Sequence, residues 1–170
     1  MTPVGAVVRG LLSGAVGTSA MDTVLFVRYR RDGGTSSTVD WELSRGVTSW
    51  EDAPAPALVG KRLIEGLFQV ELPPSRAPLL NNVTHWAYGA LQGVLYGIVA
   101  GSLREQRVAY GLPFGAAVWG GDYVILPGLK LYKPIWQYDL ETLAKDLSAH
   151  LVYGLATATT FRLLSATRER

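Results

Sequence analysis

Four stretches of this chain are long, apolar and nearly free of charge, and they leave few folds open to it: Val4 to Val27, Leu79 to Leu103, Val108 to Gly128 and Leu143 to Leu164. A bilayer core is crossed by about 20 mostly apolar helical residues, so each stretch can be read as a transmembrane span. The first is broken by Arg9 near its start and Asp22 near its end, and the second has no formal charge but carries His85 and Gln92. The third holds one charge, Asp122; the fourth holds Lys145 and Asp146 in its first turn and Arg162 in its last. Of 170 residues only 18% are charged, below the roughly 25% usual in soluble domains. The mean hydropathy of +0.17 is low for a polytopic chain because nearly half of the charged residues, 14 of 30, gather in one polar insert, residues 28–78. The chain has no cysteine, hence no disulfide framework or thiolate metal site. A net charge of +2 gives no electrostatic case for nucleic acid.

The expected fold is therefore all-α, an integral membrane four-helix bundle forming a single membrane domain. The short link Arg104-Glu105-Gln106-Arg107 makes the second and third spans antiparallel neighbours. Arg9 before an apolar run, with Thr18-Ser19-Ala20 as a small-residue cleavage site, gives the first stretch an alternative reading as a signal peptide. Its wording recurs, however: G-L-L-S-G-A-V-G-T-S-A-M-D at Gly10 to Asp22 parallels G-L-P-F-G-A-A-V-W-G-G-D at Gly111 to Asp122, with one residue of slip. The two histidines also sit in near-copies of one phrase, H-W-A-Y-G from His85 and H-L-V-Y-G from His150. Together these predict two parallel two-helix repeats, residues 4–103 with the insert and residues 108–164, related by an axis along the membrane normal. Chance likeness among glycine-rich helices is the competing explanation.

Gly89, Gly93, Gly97 and Gly101 recur every four residues, with Gly10 and Gly14 in the first span and Gly111 and Gly115 in the third. Small residues at that interval let helix backbones approach closely, so these glycines are assigned to helix packing. Depth orders the polar residues. At about 1.5 Å per residue, Asp22, Asp122, His85 and His150 all lie about 9 to 11 Å in from the same membrane face. An ionisable group in hydrocarbon is costly without a partner, so this layer is the candidate site.

Three kinds of chemistry suit it. Each aspartate can pair with a histidine as structural glue. Two imidazoles and two carboxylates can bind a divalent metal such as zinc, iron or manganese, with bis-histidine haem a weaker fit. The same groups can exchange protons. Asn81 and Asp146 lie four residues before the histidines, and Tyr88 and Tyr153 three after, within reach to hydrogen-bond this layer. Trp86, Tyr132, Trp136 and Tyr138 are assigned to the membrane interface.

Within the insert, Arg31 to Pro56 reads as loop. Ala57 to Leu72 places Lys61, Glu65 and Gln69 on one face and Val59, Leu63, Leu67 and Val70 around the other, an amphipathic helix too short to span and suited to the interface. Arg28, Arg30, Arg31, Arg76, Lys130 and Lys133 lie on the insert side, against Arg104, Arg107, Arg162, Arg168 and Arg170 opposite. By the positive-inside rule the insert is cytoplasmic and the termini lie outside.

N-N-V-T-H-W-A-Y-G at Asn81 to Gly89 and D-L-S-A-H-L-V-Y-G at Asp146 to Gly154, after a glycine-rich first span, resemble small bacterial multi-pass inner-membrane proteins of the YagU-like group, the actinobacterial type above all. The resemblance implies a bacterial inner-membrane location and brings no catalytic residues with it. No nucleophile–base pair or nucleotide fingerprint is present, so soluble-type enzymology is not expected. The expected function is a polar intramembrane site of Asp22, His85, Asp122 and His150 that binds a metal or exchanges protons. The rival is an accessory subunit or homo-oligomer, in the bilayer or in a larger membrane complex, that packs through its glycine faces. A transporter half completed by dimerisation is a third reading.

Overall fold

The computed structural model describes residues 1–44 and 46–166; Arg168 and Arg170, counted above for orientation, lie outside them. Among the described residues every regular element is helical, with no strand: α1 Pro3–Arg31, α2 Thr38–Glu42, α3 Ala55–Phe68, α4 Ala77–Ser102, α5 Gly111–Gly128 and α6 Leu140–Ala166. The four apolar stretches become α1, α4, α5 and α6. Among the described residues, only α1 is long and apolar enough to cross a membrane by length and composition alone. Asn81, Asn82, His85 and Gln92 dilute α4, Asp122 with the glycines dilutes α5, and the charges of its first turns dilute α6.

Helix ends follow local chemistry. Thr2 Oγ1 accepts the Gly5 amide at 3.2 Å just ahead of Pro3, and Arg28, Arg30 and Arg31 meet the negative end of the α1 dipole. Asp139 Oδ1 accepts the Thr142 amide at 2.7 Å at the start of α6. The expected loop at Arg31 to Pro56 contains α2, because Ser37 accepts the Asp40 amide and starts a helical turn. The amphipathic helix starts at Ala55 and ends at Phe68, short of Leu72, because Gln69 adopts a left-handed conformation (φ 54°). Glu65 then holds the outgoing chain, accepting the Leu72 amide at 2.9 Å while its other oxygen pairs with Lys61 at 2.6 Å.

The helices form an open row, α4 against α1, α1 against α6 and α6 against α5, with α3 laid on α4. The backbones of α1 and α4 nearly touch. A Cβ on Gly10 would lie 2.5 Å from the Gly93 carbonyl oxygen, and one on Gly14 would strike that of Gly89. Gly111 and Gly115 stand in the same relation to the carbonyls of Gly154 and His150. The predicted packing glycines therefore lie at helix contacts, with Gly97 and Gly101 against Ala6 and Phe161. Gly17 and Gly60, not singled out from the sequence, join them against Thr157 and Thr84.

Burial is inverted relative to a water-soluble bundle. The interior is glycine, alanine and hydroxyl residues around Phe161, Tyr96 and Tyr153, and Ser13, Thr18 and Thr157 are among its most deeply buried side chains. Each of these hydroxyls donates to the carbonyl one turn back, so none is left unsatisfied. The large aliphatics face outward instead: Val4, Leu91, Val99, Val124 and Leu163 are 62–76% exposed.

Close approach makes a direct prediction. Gly93→Ala forces a methyl group against the backbone of Gly10 and Gly14 and is expected to destabilise the purified chain by about 1–3 kcal/mol. Gly120→Ala, whose methyl would meet nothing within 4 Å, is expected to be neutral or mildly stabilising. Thermal unfolding in detergent followed by circular dichroism checks the pair.

Candidate functional site

The glycine contacts fix where the polar side chains meet. Asp22 lies two turns beyond Gly14 and His85 one turn before Gly89; because α1 and α4 run antiparallel, the two converge. His85 Nε2 lies 2.9 Å from Asp22 Oδ1, and Asp22 is only 7% exposed. On the other hairpin His150 Nε2 lies 3.5 Å from Asp122 Oδ2. The longer separation has a geometric cause. Packing opposes Gly14 to Gly89 and Gly111 to Gly154, whereas the sequence match aligns Gly14 with Gly115. Asp122 therefore stands one turn further from its glycine contact than Asp22 does.

His150 is held at both ring nitrogens. Its Nδ1 lies 2.9 Å from the Asp146 carbonyl oxygen, one turn back on α6, and 3.4 Å from the Asp146 carboxylate. A carbonyl only accepts, so Nδ1 carries a proton. Nε2 then lies on the Asp122 side of the ring, where a proton on the imidazole would make the two groups an ion pair. Tyr88 donates to the other Asp122 oxygen at 2.6 Å and ties α4 to α5 across the open side of the row. Asp122 is thus a shared acceptor for groups from two other helices.

Of the expected supporting residues, Tyr88 and Asp146 take part and two do not. The Tyr153 hydroxyl reaches no carboxylate; it donates to the Gly89 carbonyl at 2.6 Å, pinning α6 to α4. Asn81 donates to Ser44 Oγ at 2.7 Å rather than to His85. Of the aromatics assigned to the interface, Trp136 is 81% exposed, but Trp86 donates to Glu42 and Tyr132 packs on Tyr123 and Tyr138. Burial first, then the Asp146 and Asp122 charges, push the Tyr132 phenol up to about 12.

α4 and α5 stand apart beside this layer and leave a cavity of about 350 Å³. His85, Asp122, Asp146, His150 and Tyr88 line it, with Thr18 and Gln92, which the sequence reading did not single out, and with aliphatic groups from α1, α3 and α5. The expected metal quartet is not formed. Among the described residues no three His, Cys, Asp or Glu side chains converge as metal ligands. His85 directs Nε2 at Asp22, and His150 directs its two nitrogens at carboxyls on opposite sides of the ring.

Comparison with protein families, with characterised proteins and with solved structures gave no match to this chain.

The buried pair can be tested by a double-mutant cycle. His85→Leu strands the Asp22 carboxylate and is expected to cost about 3–5 kcal/mol, whereas Asp22→Leu with His85→Leu restores most of that loss. Equal destabilisation by the single and double variants in detergent unfolding would contradict the pairing.

Proposed function

We propose that this chain is a small multi-pass membrane protein in which α1, α4, α5 and α6 span the bilayer and α3 lies at its surface. In this reading the two histidine–aspartate pairs form an intramembrane site that exchanges protons with the contents of the cavity. The inverted burial supports the bilayer: large aliphatics point out of the bundle and small residues hold it together, as packing without a hydrophobic drive between helices requires. The resemblance of the two histidine phrases to bacterial inner-membrane proteins points the same way, and the positive-inside rule puts the insert on the cytoplasmic side.

The observation that carries the proton role is the setting of His150. Its Nδ1 is committed to a carbonyl and its Nε2 faces the Asp122 carboxyl, on a cavity wall. One proton has two adjoining sites there, and Tyr88 holds Asp122 in place. The rival packing role has less support, because the glycine stripes are already occupied by contacts within the chain.

Two experiments test the reading. The chain has no cysteine, so single cysteines at Ser36, Leu131 and Glu105 can be labelled in intact proteoliposomes. Ser36 and Leu131 are expected to react from one side and Glu105 from the other; equal access to all three would remove the membrane topology. For the proton role, the imidazole ¹⁵N resonances of His150 should respond to external pH and shift in Asp122→Asn. Resonances unmoved by pH wherever the fold persists, or unmoved by the substitution, would reject it.

A further inference from the structure

A second pocket, of about 280 Å³, lies where the insert meets α1 and α4, behind the first pair. Asp22, His85 and Asn81 line it from the helices, and Glu42 and Trp41 from α2. Two of its side chains end in buried oxygens that receive no hydrogen bond: Asp22 Oδ2 and Asn81 Oδ1. Asp22 is more than nine-tenths buried and has Oδ1 committed to His85, so Oδ2 is an acceptor with no donor. Native interiors rarely leave such groups without a partner, and each one here needs an explanation.

Both orphans are acceptors, so what completes them must bring hydrogen. Charge narrows the class. With both carboxyls ionised, Asp22 and Glu42 outweigh His85 in either of its protonation states, and among the described residues no Lys or Arg lines the pocket. The complement is a cation with at least two N–H donors. Trp41, whose ring packs on Phe26 and Tyr29, supplies aromatic wall, and Pro54 and Pro56 supply apolar wall.

We propose that this pocket binds a primary ammonium group, whose N–H donors reach Asp22 Oδ2 and Asn81 Oδ1 while its alkyl stem lies against the prolines. The site extends the proposed function to a ligand for the first pair, and rests on that reading only for the Asp22 to His85 pairing. The group can come from a free alkylamine or from an ethanolamine lipid headgroup, since the pocket opens at the insert end of α1 and α4, where headgroups would lie.

The test is an NMR titration of the full chain in phosphatidylcholine nanodiscs, read at the Trp41 indole and Asn81 side-chain resonances. n-Butylammonium is expected to give saturable shifts. 1-Butanol, tetramethylammonium and potassium, which lack the charge, the donors or both the donors and the stem, are expected to give none. Asp22→Asn and Asn81→Leu, checked for native amide spectra, should each weaken binding about tenfold or more, the effect of one charge-assisted hydrogen bond. Asn81→Leu leaves the Asp22 to His85 pair in place, so a folding failure in the first variant does not remove the test. The same shifts present without amine in phosphatidylethanolamine nanodiscs assign the group to lipid; their absence there assigns it to a free amine. No saturable shift from either source, equal shifts from potassium or butanol, or unchanged affinity in both variants overturns the proposal. The His150 response to pH is independent of these substitutions, so failure here and failure of the proton role are told apart.

Discussion

The close backbone approach at the glycines is the contact on which the rest of the structure depends. Gly10 and Gly14 against Gly93 and Gly89, and Gly111 and Gly115 against Gly154 and His150, bring helices nearer than any side chain with a Cβ would allow. Dispersion contacts at that distance hold helices together where the interface is lined by glycine rather than by large aliphatics. The consequence is positional as well as energetic. Once the axes are this close, a short side chain such as aspartate can span the gap, and Asp22 and Asp122 fall at the turns where a histidine faces them.

The row of helices is not closed. α1 packs intimately on both α4 and α6, while α5 packs on α6 and meets α4 chiefly through side chains, the Tyr88 hydroxyl on Asp122 and the Tyr96 ring on Phe114 at 4.9 Å between centroids. Two hairpins obeying a strict two-fold would make the α4 to α5 contact as tight as the α1 to α6 contact. The wide side is where the cavity lies, and the polar layer forms one of its walls. The departure from symmetry therefore provides the site with its space.

Much of this was legible in the chain. The four apolar stretches are the four long helices, the glycine spacing located the helix contacts, and each histidine meets the aspartate of the preceding long helix, as chain direction implied. Legibility failed where the answer depends on rotation about a helix axis or on a single turn of register. Asn81 is one turn from His85 by sequence yet bonds Ser44 of the insert, which no periodicity relates to α4. Tyr153 matches Tyr88 in its phrase, but one bonds a helix carbonyl and the other a carboxylate, because the second hairpin is shifted by a turn. The metal expectation failed for a related reason: counting depth placed four ligating groups in one layer without saying which way the imidazoles point.

That one-turn shift also explains why the two pairs are chemically unequal. In the first, Asp22 meets His85 at 2.9 Å with no second histidine contact, leaving one carboxylate oxygen unsatisfied behind it. In the second, Asp122 stands further off at 3.5 Å but gains the Tyr88 hydroxyl, and His150 gains a second carboxylate in Asp146. A short, singly bonded pair with a spare acceptor is suited to receive donors from outside. In the longer pair Nδ1 is committed to the Asp146 carbonyl, and only Nε2 is left to face a carboxylate. Similar phrases in the sequence thus lead to different surroundings, because a displacement of one helical turn changes which neighbours each carboxylate can reach.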